Sequence, residues 1–264
     1  MSKIVFLGTG GGGKVTFTQV RATGGIYVDL DRVRFIIDPG PGSLIHLRRL
    51  KLRDPEGILL SHSHPDHYTD VDVLLDGISE KYENSFLIAE HHCLEGESIC
   101  VSKYMQRKVK RCIAMKAGDE AEIAEGIKVI ATESRHYVPC IGFRIEGGIT
   151  IGYVGDGPYF EGQERSFEEC GLVIFNVLVP KGHKPMERKH MSIDGVIEFV
   201  QKLEKKPKLI ILQHFSFWML RSNVHLQAKY VEEATGVRCI AARDFMQVDL
   251  SDIERSQHKL EEYA

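Results

Sequence analysis

The stretch Ile58-Leu59-Leu60-Ser61-His62-Ser63-His64-Pro65-Asp66-His67 decides the reading of this chain: three histidines and an aspartate fall within six residues, directly after an apolar run. With 12 histidines in 264 residues, so ordered a cluster would arise by chance in roughly one such chain in several hundred to a thousand. Imidazole nitrogens and carboxylate oxygens suit zinc, whereas closed structural zinc sites rely on cysteines that this stretch lacks, so the donors point to a catalytic metal site. A strand running into a tight loop sets His62 and His64 on alternate positions, facing the same way. Pro65 fits the first turn of a helix running through Asp66 and His67 towards Leu75, which turns the second pair differently. Four donors in two orientations imply two metals.

The pattern His-x-His-x-Asp-His at His62, His64, Asp66 and His67 resembles the mark of the metallo-β-lactamase superfamily. That resemblance implies an α/β fold, a four-layered αββα sandwich, as a single domain over residues 1–264 with 251–264 as a terminal helix or tail. It also implies further ligands. His136 follows a strand where the family has its next histidine, and His214 follows Leu209-Ile210-Ile211-Leu212-Gln213, an echo of the run before His62. Asp156, in Gly155-Asp156-Gly157, is a carboxylate free to reach a metal from either oxygen and is expected to bridge. The implied set is His62, His64 and His136 on one ion, Asp66, His67 and His214 on the other, with Asp156 shared. Two zinc ions are expected, though manganese or iron would suit the same donors. An iron redox role is disfavoured, because flavodiiron members carry glutamate where this chain has His64. Asp38, followed by Pro39-Gly40-Pro41-Gly42, matches an aspartate that supports the metal loop from behind, against the plainer reading of a turn residue.

The opening Phe6-Leu7-Gly8-Thr9-Gly10 is similar to that of the ribonuclease Z and phosphodiesterase branch. Gly8, Gly13 and Lys14 also fit a phosphate-loop spacing, but Val15 replaces the hydroxyl residue that would hold magnesium, leaving a glycine turn that lets backbone pass close to the metal loop. In that branch a histidine just before a helix assists phosphoryl chemistry; His190 matches it, with His183 less favoured. Asp66 and His190 are therefore the expected catalytic residues. The function implied is a metal-dependent hydrolase, a phosphodiesterase acting on RNA or a small or cyclic phosphodiester, with a lactone or thioester hydrolase as the alternative. A non-catalytic nucleic-acid-binding member would show lost ligands, and none is lost here. The long glycine- and proline-rich arm with which ribonuclease Z grips tRNA is missing, which puts full tRNA processing in doubt. Arg21 and the loop 181–189 could hold phosphate charge, and the basic run 103–111 is either a solvated helix face or an RNA contact.

A net charge of -3 excludes a broad basic field for non-specific nucleic-acid binding. The six cysteines contain no Cys-x-x-Cys pair, as expected of reduced thiols in a cytoplasmic protein. No apolar run approaches the ~20 residues of a membrane span, so no membrane partner is expected; a homodimer is left open. Hairpins are expected over 25–37, 121–131 and 140–154, a helix over 43–52 capped by Ser43, another helix after a Ser192 cap, and strands at 238–241 and 246–250 closing the second half.

Overall fold

The computed structural model describes residues 2–30, 32–183, 190–251 and 253. Strands β1 (Lys3–Phe6), β2 (Ile26–Asp29), β3 (Arg34–Ile37), β4 (Gly57–Leu60), β5 (Phe86–Glu90) and β6 (Arg111–Met115) lie side by side in a first sheet. The second holds β7 (Glu120–Ala124), β8 (Ile127–Ser134), β9 (Cys140–Glu146), β10 (Ile151–Tyr153), β11 (Leu172–Val179), β13 (Leu209–Gln213) and β14 (Cys239–Ala241), with the short β12 (Met191–Ser192) beside β11. Both sheets follow one plan. The expected hairpins give antiparallel pairs at one side, and crossovers give the parallel pairs β3–β4–β5–β6 and β10–β11–β13–β14 at the other. Parallel strands covered on both faces need apolar side chains on both, which is why Ile58–Leu60 and Leu209–Leu212 show no polar alternation.

The helices make the outer layers. On the first half lie α1 (Gly13–Thr18), α2 (Ser43–Arg49), α3 (Pro65–Tyr68), α4 (Val71–Lys81), α5 (His91–Leu94) and α6 (Lys103–Lys108); on the second lie α7 (Ile193–Lys202), α8 (Phe217–Arg221) and α9 (Val224–Thr235). Three apolar clusters separate the layers. Ile58 and Leu60 pack with Leu74, Leu75 and Ile78 of α4, Leu59 and Phe35 meet Phe143 and Ile211 between the sheets, and Ile210 and Leu212 pack with Val196, Val200 and Val231. Alternate side chains of one strand thus enter different clusters, and the result is the αββα sandwich expected.

Three local expectations are corrected. β15 (Gln247–Asp249) does not close the second half; it crosses back and pairs antiparallel with β1, Val248 opposite Ile4, covering an edge that would otherwise expose unpaired backbone groups. The helix expected through Leu75 breaks after Tyr68, where Asp70 N donates to Pro39 O at 3.0 Å and Asp70 Oδ2 accepts from Leu44 N at 2.9 Å. Ser43 is not the cap of α2. Gly42 holds that place with a φ of 93°, while Ser43 Oγ donates to Gly40 O at 2.8 Å and accepts from Gly25 N at 3.0 Å. Ser192 does cap α7, accepting from Gly195 N at 3.0 Å.

All six cysteines are free. Among the described residues no helix is long and apolar enough to cross a membrane. Residues 184–189 of the expected basic loop, and residues 252 and 254–264 of the expected tail, lie outside the described residues.

Candidate metal centre and active site

β3 and β4 end side by side, and this brings Asp38 under the loop that follows Leu60. Asp38 Oδ1 accepts from Ser61 N at 2.6 Å. Its Oδ2 accepts from Ser61 Oγ at 2.6 Å, His67 Nδ1 at 2.9 Å and Tyr153 Oη at 2.6 Å. Because the Ser61 hydroxyl proton goes to Asp38, Ser61 Oγ accepts from His62 Nδ1 at 2.9 Å. Both His62 and His67 therefore spend Nδ1 on the scaffold and turn Nε2 inward, an arrangement that fixes the tautomer a metal ligand needs.

Two sets of three donors result. His62, His64 and His136 form one, with His64 Nδ1 3.1 Å from His136 Nε2. Asp66, His67 and His214 form the other, with His67 Nε2 3.0 Å and Asp66 Oδ2 3.3 Å from His214 Nε2. Asp156 stands between them: its Oδ2 is 3.8 Å from His67 Nε2 and 3.9 Å from His136 Nε2. Gly155 and Gly157 flank it at φ 76° and 144°, values that a side chain would strain.

The glycine loop after β1 closes over the second set. Gly12 N donates to Asp66 Oδ2 at 3.1 Å, Gly11 N to Phe215 O at 3.1 Å, and a Cβ on Gly11 would overlap the His214 ring. The loop is thus a close-approach turn. His214 itself sits at φ 60°, a left-handed conformation that costs a non-glycine residue about 1–2 kcal/mol, held here by its neighbours at the end of β13.

Charge is concentrated and mutually compensated. Burial lowers the His62 pKa well below its ordinary value and His67 adds to this; burial likewise lowers that of His64. For Asp156 burial acts to raise the pKa, but His214, His67, His62 and His136 outweigh it and hold it well below the carboxylate range. Asp66 behaves the same way, burial opposed by His67 and His214.

These donors fit divalent cations. Metal–nitrogen bonds of about 2.0–2.1 Å in a tetrahedron put neighbouring ligand atoms about 3.3 Å apart, close to the 3.0, 3.1 and 3.3 Å separations within the two sets. His62 Nε2 is buried and has no hydrogen-bond partner among the described residues, as suits a lone pair reserved for a cation.

His190 reaches the rim of the centre. Its ring centroid is 5.0 Å from that of His136, and its donor atom groups with those of His136 and Asp156. Its Nδ1 is buried and has no partner among the described residues, and burial lowers its pKa, as do His214 and His64 against Asp156. Tyr137 stands beside it at 5.9 Å. Two clefts meet at these residues, one of 660 Å³ walled by the glycine loop, α8 and Leu178 to Pro180, the other of 770 Å³ walled by Tyr159, Phe160 and the start of α7.

A family model described as a beta-lactamase superfamily domain matches residues 33–215, a span that holds both donor sets and Asp156. The chain belongs to the metallo-β-lactamase superfamily. Its members are generally hydrolases, and the fold implies binding of a divalent metal. An uncharacterized protein of Methanocaldococcus jannaschii is 31% identical over 257 residues, covering 94% of this chain and 95% of that one. Ribonuclease Z of Methanopyrus kandleri is 28% identical over 150 residues, 53% of this chain and 49% of that enzyme. Among solved structures, the metallo-β-lactamase fold protein YhfI of Bacillus subtilis superposes with a TM-score of 0.72 at 18% identity, over 94% of this chain and all of that one (100%).

Within this metallo-β-lactamase fold, the seven expected ligands and His190 all come together. Asp38 supports the metal loop from behind, the first of its two expected roles, but the sequence offered no reading of what holds Asp156. Asn176 Nδ2 donates to Asp156 Oδ1 at 2.7 Å and to Tyr153 Oη at 2.8 Å, and Gln213 Nε2 donates to Asn176 Oδ1. With Asp38 this makes a buried chain of polar groups across both sheets. The available signal was a lone polar residue inside each apolar strand, at Tyr153, Asn176 and Gln213. Other expectations fall away from the site. Arg21 donates to Thr9 Oγ1 at 2.7 Å and Ala242 O at 3.1 Å and so ties loops together, where phosphate binding was expected. In the basic run, Lys108 pairs with Asp76 and Glu80 of α4, Lys103 donates to Leu94 O at the end of α5, and Arg111 donates to Glu122 O.

Proposed function

We propose that this chain is a hydrolase working with two metal ions, zinc by donor chemistry, that cleaves RNA or a small or cyclic phosphodiester. The reading is carried by one observation: two separate three-donor sets with Asp156 Oδ2 between them, less than 4 Å from a histidine nitrogen of each. In it His62, His64 and His136 hold one ion, Asp66, His67 and His214 the other, and Asp156 both. Such an ion pair supplies Lewis acidity and lowers the pKa of water at the site.

The protein side of the chemistry follows from placement. Asp66 spends Oδ2 on Gly12 N and the His214 side, leaving Oδ1 to orient the attacking water. His190 stands on the open side next to His136 and gives a proton to the leaving oxygen; an anionic phosphate beside it raises its proton affinity, as any nearby opposite charge does. The phosphodiester class is supported by the relationship to a ribonuclease Z over half the chain and by Lys14 and Arg221 in the cleft wall.

The test is metal analysis followed by assay against bis-(p-nitrophenyl) phosphate, cyclic nucleotides, tRNA precursors and a panel of lactones. Two ions per chain and phosphodiester cleavage are expected. Hydrolysis of lactones alone would overturn the substrate class, and a single ion at full activity would overturn the paired-metal reading.

A further inference from the structure

The two clefts that meet at His190 and Tyr137 differ in character. The one beside α7 carries Glu161, Asp194 and Glu198, and its Arg135 is paired with Glu133 at 2.9 Å and laid on the Phe160 ring at 3.9 Å. Lys202 pairs with Glu161 at 3.6 Å and Glu198 at 3.5 Å, so the described wall of this cleft offers a phosphate chain no unpaired cation. The other cleft has no carboxylate in its wall among the described residues. Lys14 Nζ and Arg221 Cζ both lie on the Phe217 ring, 4.6 and 4.7 Å from its centroid, and neither has a carboxylate partner among the described residues. Next to Phe217, the Trp218 side chain is 52% exposed and makes no aromatic contact among the described residues.

An exposed indole beside two uncompensated cations, over an apolar floor of Leu178 and Pro180, matches a ligand that is planar and apolar at one end and anionic at the other. A simple phosphodiester lacks the first part, and a simple lactone lacks the second. We infer that this cleft takes the nucleoside flank of the substrate, the base stacking on Trp218 and the adjoining phosphate charge balanced by Lys14 and Arg221. The inference rests on the phosphodiester reading above and narrows it to nucleotides, oriented with the base-bearing side towards α8. Base–aromatic stacking of this kind tolerates any base and costs a substrate about tenfold or more in binding when the ring is removed. Selectivity for nucleotides without sequence preference is the consequence.

Trp218 is the single tryptophan of the chain, so its fluorescence reports on this cleft alone. The metal-loaded protein is titrated with adenosine 5′-monophosphate and, separately, with ribose 5-phosphate, which has the same phosphate and no base. Saturable quenching by the nucleotide, at least tenfold tighter than any response to the sugar phosphate and weakened about tenfold by Arg221→Ala, is expected. Equal responses to the two ligands, or none, would overturn the inference. In turnover, Trp218→Ala should raise KM about tenfold for the p-nitrophenyl ester of thymidine 5′-monophosphate and leave methyl p-nitrophenyl phosphate within twofold, with Trp218→Phe restoring the nucleotide ester. Equal losses on both esters would reduce Trp218 to a structural role and sink the proposal. Base-dependent quenching without cleavage would refute the phosphodiesterase reading and spare the cleft; cleavage indifferent to Trp218 would do the reverse.

Discussion

Asn176 Nδ2 lies 2.7 Å from Asp156 Oδ1, so the scaffold engages that oxygen, which also stands 3.9 Å from His214 Nδ1, while Oδ2 lies 3.8 Å from His67 Nε2 and 3.9 Å from His136 Nε2. The amide of Asn176 is itself held, by Gln213 on one side and the Tyr153 hydroxyl on the other. Orientation of Asp156 is thereby a property of β10, β11 and β13 together.

Asn176→Leu should therefore loosen metal binding without touching a ligand. Groups that orient ligands in this way are worth about 10–100-fold in metal affinity, and zinc titration against a competing chelator should show a loss of that size. Leaving Gln213 and Tyr153 short of a partner should also cost about 1–3 kcal/mol in stability, read by urea unfolding of the metal-free protein. Unaltered affinity would mean that Asp156 is positioned by its glycine neighbours alone.

Gly11→Ala tests the loop over the second donor set. A methyl group there overlaps the His214 ring, while the His62, His64 and His136 set lies beyond its reach. Metal content should fall from two ions per chain towards one, measured by plasma mass spectrometry after gel filtration. Loss of both ions together would show that the two sets fill as one unit.

Metal uptake should release protons. Burial acts to lower the His67 pKa, but Asp156, Asp38 and Asp66 outweigh it and lift it from 6.5 to about 10 in the metal-free protein. A raised folded-state pKa means that this ring stabilises the metal-free fold fully below about pH 6.5, and that the contribution is lost as pH rises through about 10. A cation needs the Nε2 lone pair, so it displaces that proton anywhere below about pH 10, and apparent affinity should climb with pH by about tenfold per unit for each proton released. His62, whose pKa is lowered, is already neutral and adds none. Calorimetry in buffers of different ionisation enthalpy counts the protons; a count of zero at pH 7 would contradict the assignment.

His190→Ala should lower kcat by about 10²–10⁴-fold, the range for a lost general acid, with both metals retained. The comparison to make is between a p-nitrophenolate leaving group, which needs little protonation, and an alkoxide one, where the loss should be larger. An equal loss on both would assign His190 to substrate placement.

Much of this was legible before any coordinates. The apolar run of β4, the proline at the first turn of α3 and the glycines around Asp156 are local signals, because they depend on backbone preferences within a few residues. The superfamily pattern added His136 and His214 by resemblance, and the layers followed from apolar runs buried on both faces. What one residue does for another far along the chain was not legible in the same way. Asp38 and Tyr153 are 115 residues apart and Asn176 and Gln213 are 37 apart, and in sequence each is one polar residue in or beside an apolar strand. Lys14 and Arg221 become neighbours only through Phe217, and β15 returns to β1 only because that edge was open. By itself, then, the sequence determined which residues offer donors of the metal-binding type and the layered form that gathers them. The tertiary structure decided which oxygen of Asp156 the scaffold engages, which arginine ties loops and which lines a cleft, because those outcomes depend on strand order and on contacts made across the two sheets.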